Sequence, residues 1–320
     1  MKRFPLCAPL ALSLAMAGLF HTATAQAEEA LQALKVNVIP FLDAGPLLLA
    51  DKRGIFKAHG LSVTINTAAS GATVVPTVVS GQNDIGYANA ISSLQAIDNG
   101  LPLLLVHGAY SHPADAGKDP YRVWVKPDGP IKDAKQLASA NIGTLSVKNI
   151  AEWSTRKSLE NLGVTDLSKL RWTKVGGEDA YDAVKTGQID AVWLYEPLGA
   201  AAKKAGLVPV LSANSGSISG AVSGYYITSK AFAEKHPDAL KRFDAALDEA
   251  NLYASQHTDE VRAAVIEKFN FNAELVNASD LNLYTNDPAL DKLAVIGADL
   301  VRYGLIRKQP DVNAIFWKAD

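Results

Sequence analysis

A short pattern that occurs twice constrains the fold of this chain more than any other feature. Residues 79–87, VSGQNDIGY, return as residues 185–193, KTGQIDAVW. Each copy has Gly and Gln after a helical run, then Asp, then an apolar stretch. Glycine can end a helix in the left-handed conformation, and an unbroken apolar stretch suits a strand buried on both faces. The repeat predicts two α/β lobes of similar design with a cleft between them.

Residues 1–27 have the character of a secretory signal peptide. A basic pair precedes the apolar run 6–20, and small-x-small sites predict cleavage near Ala25 or Ala27. The run is too short for a good membrane span, and a membrane anchor is the alternative reading. We expect a periplasmic mature chain that does not itself span the membrane.

Composition excludes several classes of function. The only cysteine, Cys7, lies in the predicted signal peptide, so the mature chain has no disulfide, thiol nucleophile or cysteine-bound metal. Loss of Lys2 and Arg3 leaves 29 basic against 33 acidic residues, a net charge of −4. This mild acidity argues against nucleic acid as a partner. The six histidines are scattered without an acidic partner pattern, so we expect no metal and no cofactor.

Strand-like and helix-like segments alternate along the chain at short spacing, which predicts mostly parallel sheets flanked by helices. Two stretches rich in small and polar residues, 111–119 and 212–224, are the expected crossings between lobes. The first lobe is therefore expected to be discontinuous, residues 28–120 and 225–320. The second is expected to be residues 121–224.

Several segments, in this order, resemble periplasmic substrate-binding proteins of the nitrate/sulfonate/taurine and thiamine-pyrimidine-precursor family. They are PLLLADKRGIFKAHGL (46–61), ASG (69–71), GQNDIG (81–86), IKDAKQL (131–137), GQIDAVWLYEP (187–197) and AFAEKHP (231–237). The resemblance implies a type II periplasmic binding protein fold. It also implies delivery of a small molecule to an ABC permease in the inner membrane. Fungal relatives that synthesise a pyrimidine have a Cys-rich motif, which the mature chain lacks.

Ligands of open parallel sheets bind beyond the carboxyl ends of the strands, where free N–H groups of helix N-termini favour acceptors. Loops at those ends, the following helix and the return crossing supply the candidate ligand-binding residues. These are Phe41, Asp43, Ser70, Gly71, Thr73, Asn89, Ser92, Ser146, Lys148, Asn149, Trp153, Tyr195, Glu196 and Tyr225. No catalytic residue is expected.

Each candidate also has a purely structural reading. Ser70, Thr73, Asn89 and Asn149 can all be helix caps, and a cap needs no ligand. A cap at Thr73 would put Pro76 in the first turn of its helix, where its missing N–H costs little.

The aromatic candidates differ in their expected surroundings. Trp153 lies off the apolar stripe of its helix, so we expect it to stack on a ligand or lie at the surface rather than in the core. Trp193 is expected in the core, on the same strand face as Tyr195. One of Tyr225 and Tyr226 is expected to face the cleft.

The charged candidates Asp43, Lys148 and Glu196 are expected to be rim residues or members of ion pairs. Alternatively, an acid and a base among them could clamp a zwitterion. No arginine lies in the strand-end loops. We therefore predict a small sulfonate-, carboxylate- or heterocycle-like ligand with one acceptor-rich end and a flat or apolar body.

An enzyme and a sensory module are the competing functions. The sequence contains no Gly-x-Ser-x-Gly elbow and no Gly-Lys-Ser/Thr phosphate loop. These absences argue against an enzyme, whereas a sensory module with the same fold stays open.

Overall fold

The computed structural model describes Met1 and residues 30–177 and 179–319. Apart from Met1, the predicted signal peptide and both cleavage sites lie outside the described residues. Leu31–Asp320 form one compact unit.

The strands form two five-stranded sheets. Their bounds are β1 Gln32–Val38, β2 Leu61–Thr67, β3 Ile85–Asn89, β4 Leu103–Ser111, β5 Tyr121–Val125, β6 Asn141–Thr144, β7 Arg171–Lys174, β8 Ala191–Tyr195, β9 Val208–Ser212 and β10 Val222–Ser229. The first sheet has the order β2-β1-β3-β10-β4 and the second β7-β6-β8-β5-β9.

Both sheets are mixed in the same way. β1 pairs in parallel with β2 and β3, and β6 pairs in parallel with β7 and β8. β10 runs antiparallel to β3 and β4, as β5 does to β8 and β9. Four of the five strands in each sheet therefore share a direction, as the sequence predicts.

Helices connect and cover the strands. They are α1 Gly45–Lys52, α2 Ile55–Ala58, α3 Gly71–Val79, α4 Ala90–Asp98, α5 Ile150–Asn161, α6 Asp179–Lys185, α7 Leu198–Lys204, α8 Ala213–Ser217, α9 Lys230–Lys235, α10 Pro237–Gln256, α11 Thr258–Phe269, α12 Ala273–Ala278, α13 Leu290–Arg302 and α14 Val312–Ile315. Short 3-10 helices span Leu42–Ala44, Ala116–Lys118 and Ala134–Ser139. None of the described helices combines the length and apolar composition needed to cross a membrane.

The chain passes between the sheets at the two predicted crossings. β4 ends at Ser111 and β5 begins at Tyr121, and the return runs from the end of β9 at Ser212 to Val222. The return therefore reaches the first sheet at Val222 rather than at Tyr225. We call the first sheet with the helices between its strands the first half, and the second sheet with its helices the second half.

The repeated sequence forms the same turn in both halves. Gly81 and Gly187 have positive φ angles of 74° and 78°, just after the ends of α3 and α6. The Asp84 carboxylate accepts the Lys35 N–H at 2.7 Å, and the Asp190 carboxylate accepts the Asn141 N–H at 2.7 Å. Each Asp thus ties the strand that follows it to the neighbouring parallel strand.

Ser70, and not Thr73, is the N-cap residue of α3, so the helix begins three residues earlier than a cap at Thr73 would place it. α3 begins at Gly71, and Thr73 lies inside it, where its hydroxyl accepts the Ser70 N–H at 3.1 Å and donates to the Ser70 carbonyl at 2.7 Å. Pro76 consequently lies in the helix interior rather than in the first turn.

The C-terminal helices contact both halves. α13 packs against α4 and α5, and α12 packs against α7. Arg302 donates to both carboxylate oxygens of Glu160 on α5, at 2.7 and 2.6 Å. The two crossings are therefore not the only links between the halves.

Candidate functional site

A cavity lies where the carboxyl ends of strands from both sheets meet. Its volume is about 90 Å³. This is smaller than the roughly 150 Å³ cavity that admits benzene in a well-studied case. A single-ring ligand would therefore enter only if the walls moved outward.

Half of the predicted site residues line this cavity. They are Phe41, Ser70, Gly71, Asn89, Ser146, Asn149 and Tyr195. Ten further lining residues were not among the predicted site residues. They are Ile39, Ala69, Tyr87, Tyr110, Tyr121, Thr144, Leu145, Ile150, Ala151 and Trp193.

Aromatic rings form much of the cavity wall. Phe41 and Tyr87 have ring centroids 4.5 Å apart in the first half. The Tyr121 ring lies 5.8 Å from Tyr110 and 5.5 Å from Trp193, so the rings continue from one half to the other. A flat or apolar molecule fits such a wall.

The internal repeat accounts for four of the lining residues. It relates Tyr87 to Trp193 and Asn89 to Tyr195, at corresponding positions of β3 and β8. Trp193 is 5% exposed and belongs to the core, as predicted, but its ring also forms cavity wall. Tyr87 could have been found because it lies two residues before Asn89, on the same face of β3. Tyr110 and Tyr121 have only their places beside the first crossing as a signal.

Hydrogen-bond donors line one part of the cavity. The Asn89 Oδ1 caps α4 by accepting the Ser92 N–H at 3.0 Å, which leaves the Asn89 amide group as a donor next to Gly71. Within the described residues, no acceptor pairs with the N–H groups of Gly71 and Ala151, in the first turns of α3 and α5. The buried Trp193 Nε1 likewise has no partner among them.

Asn149 joins the halves beside the cavity. Its Oδ1 accepts the Ile150 N–H at 2.7 Å, which confirms the predicted cap of α5. Its amide group lies 3.2 Å from the Ser92 Oγ of the first half. Glu152, in the first turn of α5, does not complete a capping box with Asn149, and its carboxylate pairs with Arg156 at 3.0 Å. Ser92 itself does not line the cavity.

Two tyrosines of the aromatic wall belong to a buried chain of hydrogen bonds. The Tyr121 hydroxyl is 2.5 Å from the Asp43 Oδ2 and 3.0 Å from the Tyr110 hydroxyl. Asn282 donates to the other Asp43 oxygen at 2.9 Å. Tyr110 continues the chain to Ser223, 3.3 Å away.

Burial shifts the pKa of Asp43 and that of His112, the titratable groups at the two ends of this chain. Desolvation raises the pKa of Asp43 to about 6, although hydrogen bonds from Tyr121 and Asn282 oppose the shift. Desolvation lowers the pKa of His112, whose Nε2 is 2.7 Å from the Ser223 Oγ, to about 4. A neutral His112 and an Asp43 that titrates near pH 6 therefore lie at opposite ends of the chain.

Two charged residues expected at the rim are buried instead. Asp43 is 5% exposed and Glu196 is 6% exposed, and neither lines the cavity. The Glu196 carboxylate turns back to accept the Ala200 N–H at 2.9 Å and lies 2.9 Å from the Ser279 Oγ. Burial raises the pKa of Glu196. These bonds explain how both carboxylates are accommodated away from water.

Lys148 and Thr73 are also outside the cavity wall. Lys148 is exposed, with a left-handed φ of 55°, and its backbone carbonyl accepts a hydrogen bond from Gln95 at 2.9 Å. A direct clamp by Asp43 and Lys148 is thus not formed in this structure.

The expectation for Trp153 is wrong. Its side chain is fully buried in the core, because α5 packs against α8, α4 and α13 on several sides at once. A helix surrounded in this way buries residues outside a single apolar stripe.

Neither tyrosine of the return strand faces the cavity. Tyr225 is fully buried and donates to the Pro288 carbonyl at 2.7 Å. Tyr226 packs edge-on against Tyr87 and Phe243. The expectation that one of them faces the cleft is therefore wrong, because the segment before α13 covers Tyr225, and Tyr87 and Phe243 cover Tyr226.

All the residues that line the cavity are uncharged. Within residues 30–177 and 179–319, no group of three or more His, Cys, Asp or Glu side chains could hold a metal ion. The chemistry available to a guest is thus hydrogen bonding and stacking.

Solved structures with this architecture define a class. The periplasmic aliphatic sulphonate binding protein SsuA of Escherichia coli superposes with a TM-score of 0.74 at 17% identity, covering 90% of this chain and 93% of that one. The alkanesulfonate-binding protein SsuA of Xanthomonas axonopodis pv. citri, bound to MOPS, gives 0.74 at 15% identity, covering 90% and 98%. The periplasmic nitrate-binding protein NrtA of Synechocystis PCC 6803 gives 0.70 at 14%, covering 89% and 85%. The fold is that of periplasmic binding proteins.

A match to a family model defines the relatives of the chain more narrowly than the fold does. The model of the family described as NMT1/THI5 like matches residues 42–261, which is more than half of the chain. The chain belongs to the NMT1/THI5-like family. A search of curated protein sequences finds no significant match.

Proposed function

We propose that this protein is a periplasmic solute-binding protein that captures a small organic molecule and delivers it to an ABC permease. The observation behind this proposal is the uncharged, aromatic cavity at the strand ends of both sheets. Family membership supports it, as do the binding proteins that share the fold. The leader at residues 1–27 would be cleaved near Ala25 or Ala27.

The ligand would have one acceptor-rich end and a flat or apolar body. Carboxylate, sulfonate or ring-carbonyl oxygens would accept from the Gly71 and Ala151 N–H groups and from the Asn89 amide. Helix N-termini favour such acceptors without a cationic side chain. The body would lie among Tyr87, Tyr121 and Trp193, because stacked rings bind flat groups.

Binding would close the molecule. The two halves would move about the two crossings, since a ligand that contacts both favours the closed form. Small-angle scattering should show compaction when ligand is added, and an unchanged profile at saturation would contradict closure.

Asn89→Asp tests the donor end of the cavity. The carboxylate can still cap α4, but it replaces the amide donor by a negative charge. We expect affinity for benzoate and benzenesulfonate, measured by calorimetry, to fall at least about tenfold, the size of one lost hydrogen bond together with repulsion.

The matched control is Asn272→Asp. Asn272 caps α12 by accepting the Leu275 N–H at 3.2 Å, and it does not line the cavity. Equal affinities in both variants would place the ligand's acceptor end elsewhere.

We also propose that the protein returns its ligand unchanged. Mass spectrometry of ligand released after prolonged incubation should find only the molecule supplied. A new product would favour the competing reading, an enzyme on the same fold.

A further inference from the structure

The hydrogen-bond chain that includes Tyr121 and Tyr110 of the cavity wall contains five links. They join Asp43 to Tyr121, Tyr121 to Tyr110, Tyr110 to Ser223, Ser223 to the His112 Nε2, and the His112 Nδ1 to the Ile218 carbonyl, at 2.5, 3.0, 3.3, 2.7 and 3.0 Å. Each link needs one hydrogen atom. The Tyr87 hydroxyl, 3.5 Å from Tyr110, brings its own hydrogen and does not change the balance.

An ionised Asp43 and a neutral His112 leave this chain one hydrogen short. The Ile218 carbonyl can only accept, so the His112 Nδ1 donates and its Nε2 accepts from Ser223. The carboxylate can only accept, so Tyr121 donates to Asp43. One hydrogen, that of Tyr110, then remains for two links, to Tyr121 and to Ser223.

The link that lacks a hydrogen atom can lie between two residues of the cavity wall. Tyr110 and Tyr121 both line the cavity, whereas Asp43, Ser223 and His112 are buried behind it. When Tyr110 donates to Ser223, the Tyr121 oxygen has no donor. An unpaired acceptor in such surroundings is costly, and a ligand can remove that cost by supplying a hydrogen.

We propose that the Tyr110–Tyr121 wall binds a neutral N–H or O–H donor of the ligand, and that Asp43 and Ser223 are positioning residues that create this preference. The proposal rests on the proposed solute-binding function. It gives the ligand a donor group on the side of its body that faces these tyrosines, in addition to the acceptor end.

One added proton would cancel the preference. A protonated Asp43 donates to Tyr121, and every link then runs in one direction towards Ile218 with its own hydrogen. Asp43 titrates near pH 6 because it is buried. The Tyr110–Tyr121 wall therefore favours a hydrogen-bond donor of the ligand at pH 8 but not at pH 5.

The tyrosines around Asp43 do not titrate in this range. Asp43 faces Asn282 and is coupled electrostatically to tyrosines whose pKa values burial raises: Tyr87, Tyr110, Tyr121, Tyr226 and Tyr284. Arg262 lies near Tyr284, and Lys292 lies near His112.

Two pairs of probes test the preference by calorimetry. They are 4-aminobenzenesulfonate against 4-methylbenzenesulfonate, and 4-aminobenzoate against 4-methylbenzoate, whose amino and methyl groups are similar in size. In the unsubstituted protein, the amino compound of each pair should bind about tenfold more tightly at pH 8, the value of one hydrogen bond. The preference should fall to about twofold or less at pH 5.

Two substitutions should abolish the preference at both pH values. Asp43→Asn places an amide donor beside Tyr121 and imitates the protonated acid. Ser223→Ala removes the links from Ser223 to Tyr110 and to His112. Tyr121 can then donate to Asp43 while Tyr110 donates to Tyr121, so that neither remaining link lacks a hydrogen. Ser158→Ala is the control, because Ser158 is a buried serine that donates to the Ala213 carbonyl at 2.7 Å outside the cavity.

A ligand-independent measurement separates this inference from the proposed function. In protein labelled with 13C at the aspartate carboxyl groups, Ser223→Ala should move the Asp43 titration to lower pH, because protonation no longer completes the chain. Equal binding within each pair at pH 8 would overturn the inference and leave solute binding intact. If no probe binds, the proposed ligand class is wrong. Independently of any probe, an Asp43 titration that does not move in Ser223→Ala would overturn the inference.

Discussion

The first half reaches the cavity with the N-terminus of α3, whereas the second half reaches it with the N-terminus of α5. In chain order α5 follows β6 as α1 follows β1, so the two halves present different helices of one shared plan. The first half contributes the Asn89 amide and Gly71, while the second contributes Trp193 and Tyr195 at the same repeat positions as Tyr87 and Asn89. A duplicated framework can thus carry unlike surfaces, because the repeated Gly and Asp determine the backbone and not the side chains beside it.

The largest effect expected from this comparison concerns the two tryptophans of the second half. Trp153→Ala should lower the free energy of unfolding by about 3–5 kcal/mol, because it empties a fully buried site. Its effect on ligand affinity should be small once the protein is folded.

Trp193→Phe is the counterpart, since it keeps a ring in the cavity wall and removes the unpaired Nε1. Urea denaturation and calorimetry on both variants distinguish the roles. A weakened ligand and a stable fold in Trp153→Ala would contradict the assignment of Trp153 to the core.

The bond between Asp43 and Tyr121 joins the two halves, and its pH dependence has a definite sign. Because the folded pKa of Asp43, about 6, lies above its ordinary value of 3.8, the free energy of unfolding falls as the pH rises from 3.8 to about 6 and stays lowered above pH 6. Asp43→Asn should therefore raise the free energy of unfolding at pH 8 by up to about 3 kcal/mol.

The gain should shrink at pH 5. Thermal unfolding of both proteins at the two pH values measures this gain. Subtracting the free energy of unfolding of the unsubstituted protein from that of the variant at each pH cancels the contributions of other groups. A variant that is less stable than the unsubstituted protein at pH 8, and equally so at pH 5, would contradict this account.

The two repeat aspartates test whether equivalent turns are equally important. Asp84→Ala should cost about 2 kcal/mol and Asp190→Ala about 1 kcal/mol, because each loses a charge-assisted hydrogen bond but Asp84 is the less exposed. Chemical denaturation measures both. Identical costs would mean that the halves are equivalent in energy as well as in geometry.

The smallest expected effect concerns the link from α13 to the second half. Arg302→Met removes the bonds to Glu160 but should cost less than about 1 kcal/mol, since the guanidinium is half exposed. It should, however, enlarge the ligand-free molecule in small-angle scattering, because one tie between the halves is lost.

Arg307→Met is the matched control. Arg307 pairs with Asp98 at the end of α4, in the first half. Equal scattering profiles for the two variants would show that the Arg302 pair does not restrain opening.

Local patterns determined the framework. The GQxD turns, the cap at Asn89 and the alternation of strands and helices depend on residues close in the chain, so they could be read without a structure. The strand-end rule also located the loops, and seven of the fourteen predicted site residues line the cavity.

Only the tertiary structure decided where the side chains of those loops lie. Asp43 and Glu196 look like rim residues in the sequence, but distant partners, Tyr121 and Asn282 for one and Ser279 for the other, take them inside. Trp153 is buried because α5 has neighbours on several sides, and Tyr110 meets Tyr121 because two sheets converge. Contacts between segments far apart in the chain leave no local periodicity, and for this reason the sequence determined the fold and the place of the cavity, but not its chemistry.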